Sequence, residues 1–136
     1  MSYLIDTNVI CELLRQKPSD KVVKWFDSIP DNLLHISVLT LGEIRKGVEK
    51  LQHSRRKNTL MTWLEGELPI WFENRILPID SEIADKWGCL QAQMKRPLPV
   101  IDSLIAATVL QHNLCLVTRN EKDFCYPSIK IINPWD

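Results

Sequence analysis

The chain opens with Met1-Ser2-Tyr3-Leu4-Ile5-Asp6-Thr7-Asn8, and this order of residue types predicts a strand that runs directly into a helix. Tyr3-Leu4-Ile5 is an apolar run with the length of a buried strand, and it stops at the carboxylate of Asp6. Helix-favouring residues follow from Val9 to Arg15. Open α/β sheets hold ligands at the carboxyl ends of their strands, so Asp6 suits a ligand site. Aspartate is also a preferred helix N-cap, and this stretch alone leaves both roles open.

Beyond this opening, short apolar runs alternate with longer amphipathic segments, which is the pattern of an α/β fold with a parallel sheet. Four more strands are predicted, at Leu33–Ile36, Arg75–Ile79, Leu114–Thr118 and Ile129–Ile132. Pro78 places one of them at an edge or end of the sheet, because proline cannot donate to a ladder. The 136 residues suit a single domain, with a sheet of four to five short strands flanked by helices.

The third predicted helix, opened by Ser37 or Thr40, carries one of the candidate acids. Its predicted buried stripe consists of Val38, Leu41, Ile44, Val48 and Leu51. Glu43 lies off that stripe, between Gly42 and Gly47. Each helical glycine is unfavourable by about 1 kcal/mol relative to alanine. Either something approaches the backbone closely here or the helix is locally weak.

A fourth helix, which begins near Leu60 and is interrupted at Pro69, is predicted to form a hairpin with the third and to stand out from the sheet. Trp63, Trp71 and Phe72 add aromatic surface to this segment. Large apolar side chains are most often buried, which favours core packing. A surface for a partner remains the alternative, because aromatic residues are enriched at interfaces.

The charge balance excludes a protein that coats nucleic acid by bulk electrostatics, because seventeen basic residues meet seventeen acidic ones. A local basic patch remains, and it consists of Arg45, Lys46, Lys50, Arg55, Arg56 and Lys57. On charge alone we favour a solvated helix face over a nucleic-acid-binding surface. The patch starts on the helix of Glu43, so a nucleic-acid backbone held there would pass near that acid.

Cysteine and histidine spacing argues against zinc and against a disulfide framework. The four cysteines form no CxxC pair, and the three histidines are scattered. No apolar stretch reaches the length of a membrane span, and the start lacks the pattern of a signal peptide. We therefore expect a cytoplasmic protein with free thiols and no membrane partner.

Several carboxylates interrupt apolar or turn segments and carry the chemistry that the sequence predicts. Asp6 ends the first strand, Glu43 lies beside two glycines, Asp102 opens the most hydrophobic helix, and Asp123 follows the fourth strand. Loops after neighbouring parallel strands meet at one sheet edge, where these acids would raise one another's pKa. A divalent cation removes that conflict, and an all-oxygen set favours Mg²⁺ or Mn²⁺. Such a site suits phosphodiester hydrolysis.

Four blocks of sequence together resemble the signature blocks of PIN-domain ribonucleases. They are Leu4–Ile10, Thr40–Gly47, Asp102–Thr108 and Thr118–Phe124, and they occur in that order over essentially the whole chain. The chain is most similar to the toxins of VapBC-type toxin–antitoxin pairs, including the FitB-like branch. In that branch an Asn-Pro-Trp also recurs near the end, as in Asn133-Pro134-Trp135.

The resemblance implies a PIN-like, Rossmann-like parallel sheet and a Mg²⁺- or Mn²⁺-dependent endoribonuclease that acts as a toxin. It further implies a homodimer and a small antitoxin, similar to VapB or FitA, whose tail fills the acidic site. Operator DNA would be contacted only through the antitoxin. The alternative is an inactive PIN-fold module that binds an antitoxin-like or nucleic-acid partner. A phosphotransferase with Asp6 as nucleophile is disfavoured, because such enzymes commonly carry a second Asp where this chain has Asn8.

By position in the resembling blocks, Asp6, Glu43 and Asp102 match three acids of the family's metal site. Relatives differ at the fourth position: some have Asp at the place of Asn120, and others have Asn there with an acid at the place of Asp123. We expect Asp123 to be the fourth acid and Asn120 to be a hydrogen-bonding helper. The other supporting polar residues are Thr7 and Asn8, which would orient the first acid or its bound water, and Thr118.

Overall fold

A computed structural model describes all 136 residues, Met1–Asp136. The strands are β1 (Tyr3–Ile5), β2 (Leu34–Ser37), β3 (Ile76–Leu77), β4 (Cys115–Val117) and β5 (Lys130–Ile132). The helices are α1 (Thr7–Leu13), α2 (Asp20–Ser28), α3 (Val38–Glu49), α4 (Arg55–Thr62), α5 (Leu68–Trp71), α6 (Ser81–Gln93) and α7 (Val100–His112). A π-helical turn (Trp63–Glu67) joins α4 to α5, and 3-10 turns cover Asp31–Leu33 and Glu121–Phe124.

The five strands form one parallel sheet in the order β3-β2-β1-β4-β5, which confirms the predicted α/β fold. β1 is central, and its Leu4 pairs with His35 of β2 and with Leu116 of β4. β3 is an edge strand, as Pro78 predicted. Because β1 and β4 are neighbours, the segments that follow them leave the same edge of the sheet, where parallel α/β proteins bind their ligands.

Both faces of the sheet are buried, as alternation along the strands shows. Ile5 and Val117 point into a core of 14 buried residues that also takes side chains from α1 to α5. Leu4 and Leu116 point to the opposite side, into a core of 11 buried residues built with α6 and α7. Successive strand residues face opposite sides of a sheet, and in parallel sheets both sides are covered by helices.

Helix α3 buries a narrower face than the sequence predicted. Ser37 caps it by accepting from the Leu39 N–H over 3.1 Å, and Ile44 and Val48 are buried. Val38, however, is 37% exposed, because at about 100° per residue it lies about 120° around the helix from Ile44. Leu51 is 40% exposed, because it lies beyond the end of the helix. The predicted stripe is therefore wrong at both ends.

The segment from α4 to α5 packs onto the sheet, so the prediction that it stands out is wrong. Leu60, Leu64 and Leu68, spaced four residues apart, lie in the same core as Ile5. The wide π turn precedes Pro69, which lies in the first turn of α5 and does not end the helical run.

The aromatic side chains of that segment belong mostly to the core. Phe72 is fully buried, and Trp71 packs against it and against Phe26, at ring-centroid distances of 4.5 and 5.7 Å. Trp63 remains partly exposed. No helix of the structure has the length and apolar character needed to cross a membrane.

Candidate active site

Asp6 lies at the carboxyl end of β1 and is held by three hydrogen bonds. Its Oδ1 accepts from the Thr7 N–H over 2.9 Å, so the residue does cap α1. Its Oδ2 accepts from the Thr118 hydroxyl over 2.8 Å and from the Asn8 amide over 3.3 Å. A carboxylate oxygen offers two acceptor positions, so Oδ2 is saturated while Oδ1 keeps one free. The cap and a ligand role are therefore compatible at one side chain.

Thr118, directly after β4, connects the loop after β4 to the acid of β1. Its buried hydroxyl donates to Asp6 and accepts from the backbone N–H of Asn120 over 3.1 Å. Asn8 reaches the same loop, because its Oδ1 accepts from the Arg119 N–H over 3.3 Å. The predicted supporting residues Asn8 and Thr118 thus lie in one network with Asp6, whereas Asn120 joins it through its backbone only.

Glu43 comes to the site from α3. Its Oε1 accepts from the Thr7 hydroxyl over 2.6 Å, which links α3 to the first residue of α1. The glycines that flank this region meet no close neighbour, since a Cβ placed on Gly42 or Gly47 would have nothing within 4 Å. No part of this chain therefore approaches α3 at those positions, and its glycine face is open.

Asp102 and Asp123 form the remaining wall of the site. Asp102 lies in the first turn of α7, where a carboxylate is favoured by the positive end of the helix dipole. Asp123 is exposed in the 3-10 turn after β4. Both residues line one cleft of about 430 Å³, which the loop between α6 and α7 closes on its other side.

Burial and mutual repulsion act together on these acids. Burial raises the pKa of Asp6, with further increases from Glu43 and Asp123, while the bonds from Thr118 and Thr7 lower it. Burial also raises the pKa of Asp102, assisted by Asp123, Asp6 and Glu43. The structure thus brings the four predicted acids within electrostatic range of one another. None of them forms an ion pair with a lysine or arginine.

The donor set suits a hard divalent cation by its chemistry. It consists of carboxylates, none of which is in an ion pair with a lysine or arginine, and such oxygen ligands favour Mg²⁺ or Mn²⁺. The spacing is open, since no three of these side chains lie close enough together to hold an ion. Mg²⁺ commonly binds through only one or two carboxylates and keeps several waters, so this open arrangement is compatible with it.

The predicted basic patch does not form one surface, and its members have different environments. Lys57 is 9% exposed, and its Nζ donates to the carbonyls of Glu49 and Leu51 over 3.2 and 3.0 Å. These bonds disfavour RNA contact by Lys57, because its ammonium group already binds carbonyls at the C-terminal end of α3. Arg45 is paired with Glu49 and Glu65.

The other four cations of that patch remain exposed. Arg56 also donates to the carbonyl of Leu14, and Arg55 makes no side-chain hydrogen bond. Lys46 and Lys50 line a groove with Glu43. Only these two of the six therefore lie beside a predicted acid, and they stay candidates for RNA contact.

The C-terminal residues are fastened next to the site. The Arg119 guanidinium stacks over the Trp135 ring at 4.7 Å from its centroid. Asn133 accepts from the Trp135 N–H over 3.0 Å and donates to Glu121 over 3.1 Å. The Asn-Pro-Trp segment therefore holds the loop after β4, which carries Asp123.

Sequence reasoning missed the side of the cleft that faces the acids. Arg96, Lys122 and Tyr126 line it together with Asp102 and Asp123. A sequence signal existed in the Lys95-Arg96 pair at the end of α6 and in the tyrosine shortly after Asp123. Neither the Lys95-Arg96 pair nor Tyr126 belongs to a periodic pattern, and Arg96 and Tyr126 come to line one cleft only in the folded chain.

The fold and the site together define a parallel α/β protein with a cluster of carboxylates at the carboxyl ends of β1 and β4. Residues 3–128 match the PIN domain family, and the chain belongs to that family. It is 36% identical to toxin FitB from Neisseria gonorrhoeae over 135 residues, which cover 97% of each chain. It is 34% identical to VapC ribonuclease Y4jK from Sinorhizobium fredii over 136 residues, covering 98% of this chain and 97% of the relative.

Solved structures agree with this family. The crystal structure of FitAcB from Neisseria gonorrhoeae superposes with a TM-score of 0.89 at 35% identity, covering 98% of each chain. A toxin–antitoxin complex from Klebsiella pneumoniae superposes with a TM-score of 0.72 at 27% identity, covering 99% of each chain. The predicted resemblance to PIN-domain toxins of the FitB-like branch is confirmed.

Proposed function

We infer that this chain, as one PIN domain over residues 1–136, is the toxin of a toxin–antitoxin pair and an endoribonuclease that hydrolyses RNA phosphodiester bonds. The observation that carries this inference is the convergence of Asp6, Glu43, Asp102 and Asp123 at one sheet edge. The relatives named as a toxin and as a ribonuclease, matched over nearly their whole length, support it. Its place of action is the cytoplasm, where RNA is its substrate.

Mg²⁺ or Mn²⁺ is the proposed cofactor, held by Asp6 and Asp102 with Glu43 and Asp123 as further ligands or water-positioning groups. When bound, such an ion supplies Lewis-acid activation of a water and stabilises the leaving oxygen. Burial raises the pKa of Asp6 and of Asp102, and the neighbouring acids raise both pKa values further, which is consistent with mutual repulsion in the site. A cation relieves that repulsion, which is the physical reason for binding one here.

The chain's own residues orient the reacting groups. Thr118 and Asn8 occupy Oδ2 of Asp6, so the free position on Oδ1 is the one that can take a ligand. Thr7 holds Oε1 of Glu43, so Oε2 makes no bond within the chain and can accept a proton or a water hydrogen bond. These fixed donors keep both carboxylates in place before substrate arrives, which is what electrostatic preorganisation requires.

A cognate antitoxin, similar to VapB or FitA, is the proposed protein partner, and operator DNA would be contacted through it. A groove of about 510 Å³ between α1 and α4 offers a docking surface lined by Leu13, Leu14 and Trp63. Trp63 is the one aromatic residue of the original three that both stays partly exposed and lines this groove. Apolar grooves of this kind accept amphipathic helices.

A homodimer is the proposed assembly, and the open face of α3 supports it. Val38 and Ile101 are 37% and 38% exposed, and they line one groove with Gly42 and Gly47. Lys46 and Lys50 line the same groove, so a second subunit packed there would exclude RNA from these two lysines. Exposed apolar side chains beside glycines allow another backbone to approach closely. Light scattering should give the mass of a dimer, and Val38→Asp should reduce it to that of a monomer. A monomeric parent chain would refute the assembly.

A binding module without catalysis is the alternative, and one observation favours it. No three of the carboxylates are spaced to hold an ion as they stand. In that case the acidic edge would serve only to receive a basic segment of a partner.

RNA cleavage by the purified chain separates the two functions. Total RNA is incubated with the chain in Mn²⁺ and in EDTA, beside Asp6→Asn and Asp102→Asn. Asp27→Asn is the matched control, because Asp27 is an exposed acid of α2 outside the site. We expect cleavage by the parent chain and the control in Mn²⁺, and none in EDTA or by the two site variants. Metal-dependent cleavage that survives in a further variant carrying both Asp6→Asn and Asp102→Asn would refute the assignment.

A further inference from the structure

The cleft beside Asp102 and Asp123 has a second wall that the catalytic proposal leaves without a role. Arg96, in the loop between α6 and α7, and Lys122, in the 3-10 turn, provide two cations there. Met94 and Tyr126 provide apolar surface. The cleft, of about 430 Å³, therefore has an acidic wall that belongs to the active site and a basic and apolar remainder.

The two cations have no partners within the chain. The ion pairs of the structure involve only Arg15 and Arg45 on their basic side, and neither Arg96 nor Lys122 donates a side-chain hydrogen bond. Both residues are exposed. Their charges are therefore available to an anion inside the cleft, in contrast to those of Arg45 and Lys57.

Tyr126 is a largely buried phenol whose hydroxyl has no hydrogen-bond partner in the chain. Tyr126 lines the same cleft as Asp102 and Asp123. Burial raises the pKa of the phenol, and these two acids raise it further. Only 9% of Tyr126 is exposed, so a small part of this aromatic residue is available for contact with a ligand in the cleft. This combination suits a nucleotide, which carries polar and stacking surfaces together.

The loop that forms the far side of the cleft is built in a fixed conformation. Gln91 of α6 makes two hydrogen bonds to Leu98, accepting from its N–H over 3.0 Å and donating to its carbonyl over 3.2 Å. Ser103 of α7 accepts from the Trp87 indole over 2.8 Å and donates to the carbonyl of Pro99 over 2.6 Å. α6 and α7 therefore hold both ends of this wall before any ligand binds.

We propose that this cleft binds the nucleotide next to the scissile phosphodiester, with its phosphate held by Arg96 and Lys122 and its base against Tyr126 and Met94. The proposal rests on the proposed endoribonuclease function, because the acidic wall supplies the reaction centre. Single-stranded RNA fits this combination, since cations position its phosphates while aromatic side chains contact unstacked bases. A basic peptide fits less well, because Arg96 and Lys122 would repel it.

RNA binding without cleavage tests the cleft directly. Fluorescence anisotropy of a short, mixed-sequence, 5′-labelled oligoribonucleotide is measured on the Asp6→Asn chain over a range of salt concentrations. Arg96→Gln and Lys122→Gln should each weaken RNA binding and raise Kd about five- to tenfold. Log K for association falls as log salt rises. Each substitution should make this dependence shallower by roughly 0.7, the value for one phosphate contact on a single strand.

Three further variants distinguish the aromatic contact from the charged ones and control for loss of charge in general. Tyr126→Leu should weaken Kd with an unchanged salt slope, because stacking carries no counterion release. Tyr126→Phe retains the aromatic ring and is the conservative control, because it disturbs the packing around residue 126 less than Tyr126→Leu does. Lys24→Gln removes an exposed lysine of α2 outside the cleft and should change neither quantity.

The outcomes separate this inference from the function on which it rests. Parental Kd and salt slope in both Arg96→Gln and Lys122→Gln would overturn the nucleotide site, even with metal-dependent cleavage intact. Loss of antitoxin binding alone in these variants would overturn it too, and would assign the cleft to a protein partner. The reverse outcome is also distinguishable. If the parent chain does not cleave RNA but Arg96→Gln and Lys122→Gln still weaken RNA binding, the nucleotide site is supported and the endoribonuclease function is refuted.

Discussion

The hydroxyl of Thr118 donates to Oδ2 of Asp6 over 2.8 Å, and this bond joins residues that are 112 positions apart in the chain. It is possible only because β1 and β4 are paired neighbours whose ends lie at the same edge. Asp6 is therefore oriented by the topology of the sheet as well as by its own place at the start of α1. The hydrogen bond also favours the ionised carboxylate, against the burial that raises its pKa.

Thr118→Val should raise the pKa of Asp6 further, because it removes that donor while keeping the shape of the side chain. A deprotonated carboxylate is needed for metal binding, so the pH of half-maximal cleavage should move upward by roughly 0.5–1 unit. Unfolding in urea should show a loss of about 1 kcal/mol.

Thr108→Val is the matched control for this shift. Thr108 is also fully buried, but its hydroxyl donates to Leu104 within α7 and contacts none of the acids. Its pH profile should coincide with that of the parent chain. An unshifted profile in Thr118→Val, or the same shift in both variants, would contradict the role given to Thr118.

Asp102→Asn should stabilise the chain at neutral pH when metal is absent. Burial and three neighbouring acids raise the folded-state pKa of Asp102 above its value in the unfolded chain, which is about 3.9. The contribution of Asp102 to stability is therefore present below pH of about 3.9 and is lost as pH rises through the folded-state pKa. Asparagine cannot ionise, so the variant escapes this loss.

Thermal unfolding in EDTA between acidic and neutral pH measures this effect. The Tm of Asp102→Asn should exceed that of the parent by roughly 1–3 °C at neutral pH and converge with it in acid. Asp27→Asn should show no such trend. Adding Mn²⁺ should reverse the order, since a ligand stabilises the state that binds it. A parent chain more stable than Asp102→Asn in EDTA at neutral pH would contradict the repulsion.

Lys57→Met should destabilise the fold without weakening RNA binding. The ammonium group of Lys57 satisfies the carbonyls of Glu49 and Leu51 at the C-terminal end of α3, where a cation is also favoured by the helix dipole. Its removal should lower the free energy of unfolding by about 1–3 kcal/mol. Lys24→Met, at an exposed site, is the control. Unchanged stability together with weaker RNA binding would return Lys57 to the RNA surface.

The positions of the strands were largely predictable because their signals are local, whereas the order of the strands depends on long-range pairing. Apolar runs that end at polar residues marked β1 and β4, and Pro78 marked the edge strand. The hairpin of α4 was misplaced for a different reason. An apolar stripe such as Leu60, Leu64 and Leu68 shows that a helix face is buried, but it does not show which surface covers it.

The acids of the site were predictable because Asp6, Asp102 and Asp123 each follow or open an element whose end faces the ligand edge. The environment of the cations was not. Whether a basic side chain is free depends on how the backbone folds around it. Lys57 is bound by the carbonyls of Glu49 and Leu51 at the end of the preceding helix, and Arg96 lies in a nonperiodic loop. Residue type and spacing carry no information on these environments. The sequence pattern therefore placed Lys57 in the basic patch and did not indicate the wall formed by Arg96 and Lys122.

The carboxylates of Asp6, Glu43, Asp102 and Asp123 are proposed to act as one metal site. Titration of the metal-free chain with Mn²⁺, with free ion followed by electron paramagnetic resonance, tests it most directly. Asp27→Asn should bind Mn²⁺ like the parent chain, whereas Asp6→Asn and Asp102→Asn should each bind at least about tenfold more weakly. Equal Mn²⁺ binding by the parent chain and both site variants would contradict the claim.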